Sequence, residues 1–172
     1  VTFENPVNVA AAIAPAALTG SLRVDARTIH LGSNQFAVAG YADLSLDASD
    51  SIIFESDGAF TTAVNLSANT PLITGAQGDT YAINAGQAIS LNRSGSAAPV
   101  TDGLGASLTI QGSSITATTD ILLPSGQLTL RATGGSVSIG GNLSVAGTSR
   151  EFSDLIRYSD GGTITLESET GD

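Results

Sequence analysis

Along most of this chain apolar and polar residues alternate, and the alternation returns at intervals close to twenty residues. Eight triplets carry it, each with two large apolar residues and then a small one at alternate positions. They are Leu22, Val24, Ala26; Leu44, Leu46, Ala48; Val64, Leu66, Ala68; Tyr81, Ile83, Ala85; Leu108, Ile110, Gly112; Leu128, Leu130, Ala132; Leu143, Val145, Gly147; and Ile164, Leu166, Ser168. Their first members step along the numbering by 22, 20, 17, 27, 20, 15 and 21, a spacing that belongs to solenoid repeats. Within a triplet a period of two means a half-buried strand, and the residues between, such as Ser45, Asp47, Thr129 and Arg131, are polar. A second apolar pair follows in several units: Ile29 with Leu31, Ile52 with Phe54, Ile89 with Leu91, Val137 with Ile139. Phe36 with Val38 and Ile121 with Leu123 supply a third piece in some. A unit of this size holding two or three short strands is a rung of a parallel β-helix, whose like strands stack ~4.8 Å apart. The chain is therefore expected to be all-β, a β-solenoid of about eight rungs of roughly 20 residues each.

The small third residue has a steric reason. It lies where a strand ends and the coil bends, so a bulky side chain would collide with its counterparts in the rungs on either side. A rung cannot bury its own apolar face, and stability comes from stacking on neighbours. Neither end carries an obvious cap, which points to a piece of a longer chain continuing in both directions. Residues 1–19 read as an irregular or short helical lead-in, Ala-rich over 7–18 and interrupted by Pro15. With no basic region and with Glu4 where positive charge is expected, this stretch does not read as an export signal. Residues 20–172 are the expected shaft, with insertions at 93–107 and 148–162.

Composition then narrows the chemistry. The 16 acidic residues outnumber the 6 basic ones, giving a formal charge of -10, which opposes any non-specific hold on nucleic acid. All six basic residues are Arg. No Cys and a single His leave no disulfide framework, no thiolate site and little basis for a His-based metal site or triad. Charged residues make up only 13%, so Ser, Thr, Asn and Gly supply the polar surface. No apolar run is long enough to span a bilayer as a helix.

The run 121–172, ILLPSGQLTLRATGGSVSIGGNLSVAGTSREFSDLIRYSDGGTITLESETGD, resembles the filamentous haemagglutinin family of large bacterial exoproteins. The stretch 20–58, with GSLRVDARTIHLG and LSLDASDSIIFESDG, is similar to repeats of the same family. The resemblance implies a right-handed parallel β-helical shaft, secreted to the extracellular space or cell surface through a partner outer-membrane transporter (two-partner secretion). It further implies a role in adhesion, aggregation or biofilm, with a surface glycan or protein as partner. The family's amino-terminal secretion domain is not recognisable, so the chain would be an interior or later part of the shaft. The family supplies no catalytic residues and no cofactor.

Several residues invite a functional reading. Asp43, Asp47, Asp50, Glu55 and Asp57 crowd one rung, and Asp-Gly steps recur at Asp57, Asp102 and Asp160. Their oxygens suit Ca²⁺, but Asp-Gly is ordinary turn chemistry and the calcium-binding nonapeptide is absent, so no metal is expected. Asp43, Asp47, Arg23 and Arg131 are the residue types that β-helical lyases and hydrolases use, and Asp25 and Asp47 fall at equivalent outward positions of adjacent rungs. Solvated carboxylates are the plainer reading, and the chain is expected not to be an enzyme. The insertion 148–162 brings together Arg150, Phe152, Leu155, Arg157 and Tyr158, of which Arg150, Phe152, Arg157 and Tyr158 form the candidate binding loop. Folding back of Phe152, Leu155 and Ile156 over a core edge is the alternative. His30, between inward Ile29 and Leu31, should face solvent. Asn65, Asn92 and Asn142 begin Asn-x-Ser triplets of the kind that arise by chance in Ser-rich chains. The expected function is that of a structural shaft segment of a secreted adhesin-like exoprotein. A glycan-binding or glycan-cleaving β-helix and a self-assembling extracellular filament subunit remain open beside it.

Overall fold

The computed structural model describes residues 1–5, 19–96, 103–153 and 155–170. Among these every regular element is a strand. In chain order they are β1 (Thr2–Phe3), β2 (Ser21–Leu31), β3 (Asn34–Val38), β4 (Asp43–Phe54), β5 (Gly58–Thr62), β6 (Asn65–Asn69), β7 (Leu72–Gly75), β8 (Thr80–Ala85) and β9 (Ile89–Asn92). There follow β10 (Ser107–Gly112), β11 (Ile115–Ala117), β12 (Asp120–Leu122), β13 (Gln127–Ala132), β14 (Val137–Ile139), β15 (Leu143–Ser144), β16 (Ser149–Phe152), β17 (Leu155–Tyr158) and β18 (Thr163–Ser168). Every pairing among them is parallel except that of β16 with β17, as a parallel β-solenoid requires.

The strands stack into three walls. Wall A is built from the first halves of β2 and β4, then β6, β9, β11 and β14. Wall B takes β1, the second halves of β2 and β4, then β7, β12 and β15. Wall C takes β3, β5, β8, β10, β13 and β18. β2 and β4 are long because they run through the corner between walls A and B. There β4 carries one residue more than β2, the register slipping between Ala26 and Thr28, and such a bulge bends a strand.

One inward column on wall A runs Leu22, Leu44, Leu66, Ile89, Ile115 and Val137, each member one full turn beyond the last. The chain makes about five turns, which corrects the expected eight shorter rungs. The eight triplets belong to three different walls. Those at Leu22 and Leu44 lie on wall A, those at Tyr81, Leu108, Leu128 and Ile164 on wall C, and Leu143 on wall B. Leu66 and Ala68 are also on wall A, but in register with Leu44 and Leu46, two positions from their assumed place. Each wall keeps one face inside and one outside, so all three show the same alternation.

The inward columns make one continuous core. Ile29, Phe54, Phe60, Ile110, Ile115, Ile121 and Leu130 are wholly buried in it. Fully burying such a side chain contributes about 1.5–3 kcal/mol. The aromatic rings gather toward the amino-terminal coils, with centroids 5.1 Å apart for Phe3 and Phe36, 5.8 Å for Phe36 and Phe60, and 5.9 Å for Phe54 and Tyr81. Gly75 is required by this packing, because a Cβ there would overlap the Phe54 ring. The buried threonines offset their desolvation by bonding to backbone: Thr119 Oγ1 donates to Thr70 O at 2.5 Å and Thr74 Oγ1 to Leu122 O at 2.8 Å. Tyr81 does not; its hydroxyl is buried without a partner among the described residues, and burial pushes its pKa up to about 12.

Among the described residues wall B lacks one strand. Ile73 of β7 pairs directly with Ile121 of β12, skipping a whole turn, because the coil holding β9 and β10 contributes strands to walls A and C alone. The insertion expected at 93–107 falls at this place, and its residues 97–102, Asp102 included, lie outside the described residues. The expected helical segment lies outside them too, apart from its flanks. Ahead of that segment, Thr2 and Phe3 pair with His30 and Leu31 as the first strand of wall B.

Candidate functional site

Two surface regions collect the polar and charged residues of interest: the outward face of wall A and the hairpin of β16 and β17. On wall A the parallel register stacks like upon like. Ser45, Ser67, Ser90, Thr116 and Ser138 form one outward column, and Asp25, Asp47, Asn69 and Asn92 the next. The second column is a hydrogen-bonded ladder. Asn92 Nδ2 donates to Asn69 Oδ1 at 3.0 Å, and Asn69 Nδ2 in turn donates to Asp47 Oδ1. Ser45 Oγ donates to Asp47 Oδ2 at 3.0 Å. At the ladder's end Arg23 spans both carboxylates, 2.9 Å from Asp25 Oδ1 and 2.7 Å from Asp47 Oδ2. Its hydrogen bond to Asp25, followed by the charges of Asp25 and Asp47, holds the Arg23 guanidinium above its ordinary pKa. Asn92, which begins an Asn-x-Ser triplet, uses its amide in this ladder, and Asn65 accepts from Ala88 N–H at 3.1 Å. Beside the ladder lies an open groove of about 600 Å³ lined by Arg23, Asp25, Asp47, Asn69 and Gly95.

Of the residues considered for catalysis or metal binding, the fold keeps some together and draws others apart. Asp25 and Asp47 are in register, as the spacing predicts. Arg131, however, stands on wall C, where it pairs with Glu169 and, at 3.6 Å, with Glu167. Hydrogen bonding to Glu169 raises its pKa above the ordinary value. Of the acidic residues crowding 43–57, Asp50 holds Arg27 at 2.6 Å and Asp57 Oδ1 accepts from Thr80 N–H at 2.7 Å. Glu55 Oε1 lies 2.8 Å from His30 Nδ1, close but without hydrogen-bond alignment. Asp79 and Asp120 likewise accept from the backbone N–H groups of Ser56 and Asn142. Among the described residues no three His, Asp or Glu come together in a group able to hold a metal ion. These ion pairs and hydrogen bonds tie coil to coil.

The insertion at 148–162 is a two-stranded antiparallel hairpin, the one departure from parallel pairing among the described residues. It leaves at the corner between walls B and C. Its base is clasped there: Ser159 N–H donates to Thr148 O at 2.9 Å, and Ser125 Oγ donates to Ser159 Oγ at 2.7 Å. Gly162 follows, and a Cβ there would overlap the Gly126 carbonyl, so only glycine lets the chain re-enter the stack so closely. The register sets Arg150 across from Arg157, Phe152 across from Leu155, Glu151 across from Ile156 and Ser149 across from Tyr158. Arg150, Phe152 and Arg157 therefore occupy positions of one face, and Tyr158 the other. Of Arg150 and Phe152 the structure describes the backbone placement alone. Leu155 is 49% exposed, Ile156 50% and Tyr158 79%, so Leu155 and Ile156 do not fold back over a core edge.

Charge separates the two regions. Arg23, Arg27, Arg93 and Arg131 each meet a carboxylate, and the partners Asp47, Asp50, Asp120, Glu167 and Glu169 lie on other coils. Arg157 has no ion pair among the described residues. Among those residues, no helix is long and apolar enough to cross a membrane. Comparison of the chain with protein-family models, with curated proteins and with solved structures finds no match.

Proposed function

We propose that this chain is a structural shaft segment of a secreted, filamentous-haemagglutinin-like bacterial exoprotein, wound right-handedly and exported by two-partner secretion. Its work is to extend from the cell surface and present a binding hairpin in adhesion, aggregation or biofilm. The observation that carries this reading is the division of labour between a solenoid whose arginines are used between coils and a hairpin whose aliphatic and aromatic side chains stand in solvent. A continuous apolar core stiffens the shaft, in a sequence that has no Cys to form disulfides. The test is binding of the purified chain to an array of glycans and matrix proteins, with product analysis, beside a variant in which 149–158 is replaced by Asn-Gly. Saturable, uncleaved binding that the replacement abolishes is the expected result. Cleavage of a bound glycan, or binding indifferent to the hairpin, contradicts the reading.

A further inference from the structure

Of the Asp-Gly steps in the chain, Asp57–Gly58 and Asp160–Gly161 lie wholly among the described residues. Such a step has a chemistry of its own. The main-chain nitrogen after an aspartate can attack the side-chain carboxyl carbon and close a five-membered imide, the carboxyl losing its hydroxyl and the nitrogen its proton as one water. Water then adds back, and opening at the main-chain carbonyl leaves an isoaspartyl link that runs through the former side chain. Glycine favours the attack because it has no Cβ to shield the nitrogen.

The fold treats the two steps differently. Asp57 Oδ1 accepts from Thr80 N–H at 2.7 Å, and its main-chain oxygen accepts from Asn34 N–H at 3.0 Å. Gly58 opens β5 in register with Asn34 and Tyr81, and a Cβ there would overlap the Asn34 carbonyl. The Asp57 carboxyl carbon cannot swing onto the Gly58 nitrogen without breaking that ladder. Asp160 and Gly161, by contrast, are exposed and belong to no strand. Among the described residues the Asp160 carboxylate accepts no hydrogen bond and meets no cation, and the Gly161 N–H donates to no acceptor. Beyond its chain neighbours, a Cβ on Gly161 would meet nothing nearer than Val145 O at 3.9 Å, so this residue stands clear of the stack.

We propose that Asp160–Gly161 is a site of spontaneous covalent modification, at which imide formation and hydrolysis yield isoaspartate and loosen the hairpin's attachment. The isoaspartyl link puts an extra atom into the main chain between two anchors. On one side Ser159 clasps the hairpin base, its N–H donating to Thr148 O and its Oγ accepting from Ser125 Oγ. On the other, Gly162 N–H donates to Val145 O at 2.8 Å and leads into β18, six residues in register with β13. The ladder outlasts the clasp, so the extra atom is absorbed by release of Ser159. One carboxylate is present before and after, and the solenoid stays intact while the hairpin comes free.

The experiment ages the full chain in warm, near-neutral buffer, counts isoaspartyl groups by enzymatic methylation and places them by peptide mapping with electron-transfer fragmentation. Isoaspartate should accumulate at Asp160, accompanied by the imide, which is one water lighter, and stay at background at Asp57. It should be lost in Asp160→Glu, where attack would close a less favoured, larger ring; circular dichroism checks that this variant is folded. In the aged chain, exchange at amides 149–158 should speed up about tenfold or more as the clasp's hydrogen bonds are lost, while amides of β13 keep their rate. No isoaspartate at Asp160, equal accumulation at Asp57, or unchanged exchange at 149–158 after Asp160 has converted overturns the proposal.

Discussion

The solenoid body and the β16–β17 hairpin are made by one chain under opposite rules. In the body, parallel register sets each residue beside its counterpart one coil away, so an inward leucine meets leucine and an outward Asp47 meets Asn69. In the hairpin, antiparallel register sets Arg150 across from Arg157, and Arg157 has no ion pair among the described residues. Among the described residues the arginines of the body meet carboxylates of other coils, while Arg157 of the hairpin meets none and Leu155, Ile156 and Tyr158 stand exposed. Sites meant for a partner have to be built in the second way, because a group already paired gains little from a ligand.

This contrast can be broken by mutation, and the largest effect is expected in the core. Leu130→Ala should cost about 2–5 kcal/mol in urea unfolding, since Leu130 is wholly buried. The same change at Leu155, 49% exposed on the hairpin, should stay within about 0.5 kcal/mol. Equal losses at the two sites would mean that hairpin and body unfold as one unit.

Alkaline titration comes next. The Tyr81 pKa is pushed by burial from its ordinary 10.0 to about 12 in the folded chain. Between those values the unfolded chain releases a proton that the folded chain keeps, so the folded state is progressively disfavoured. The stability present below pH 10 should fall by roughly 2–3 kcal/mol as pH approaches 12. Tyr81→Phe should abolish that fall and be close to neutral at pH 7, since the hydroxyl it removes has no partner among the described residues. Denaturant melts at pH 8 and pH 11.5 measure both. Gly75→Ala should cost about 1–3 kcal/mol by crowding Phe54, read from the same melts. Smallest of all, Arg23→Ala should lower the denaturant midpoint only slightly, and less still in high salt, while Arg157→Ala should not lower it at all.

The residues explain why some of this was readable in the sequence and some was not. Alternation around Leu44 and Leu46, or Leu128 and Leu130, marks a half-buried strand wherever it occurs, so strand class and solenoid architecture were legible. Wall membership was not, because Leu108 on wall C and Leu44 on wall A obey the same inside-outside rule. Averaging the steps across walls then gave too short a turn. A better signal was present in the outward residues: Ser45 and Asp47, Ser67 and Asn69, Ser90 and Asn92 repeat once per turn and mark wall A alone. Without the turn length, the cross-coil partners of Arg23, Arg27 and His30 stayed hidden, as each lies about one full turn further along the chain. The hairpin was visible as an Arg- and aromatic-bearing insertion. Its antiparallel register was not, since the turn at Ser153, with φ of 56°, lacks the Asn-Gly pair that usually announces one.

Amide hydrogen exchange resolved by residue tests the division between body and hairpin most directly. Amides of β10 and β13 should exchange only through global unfolding, and those of 149–158 through local opening, many orders of magnitude faster. Hairpin protection equal to that of β13 in the free chain would show that the hairpin is part of the packed structure and would contradict the account.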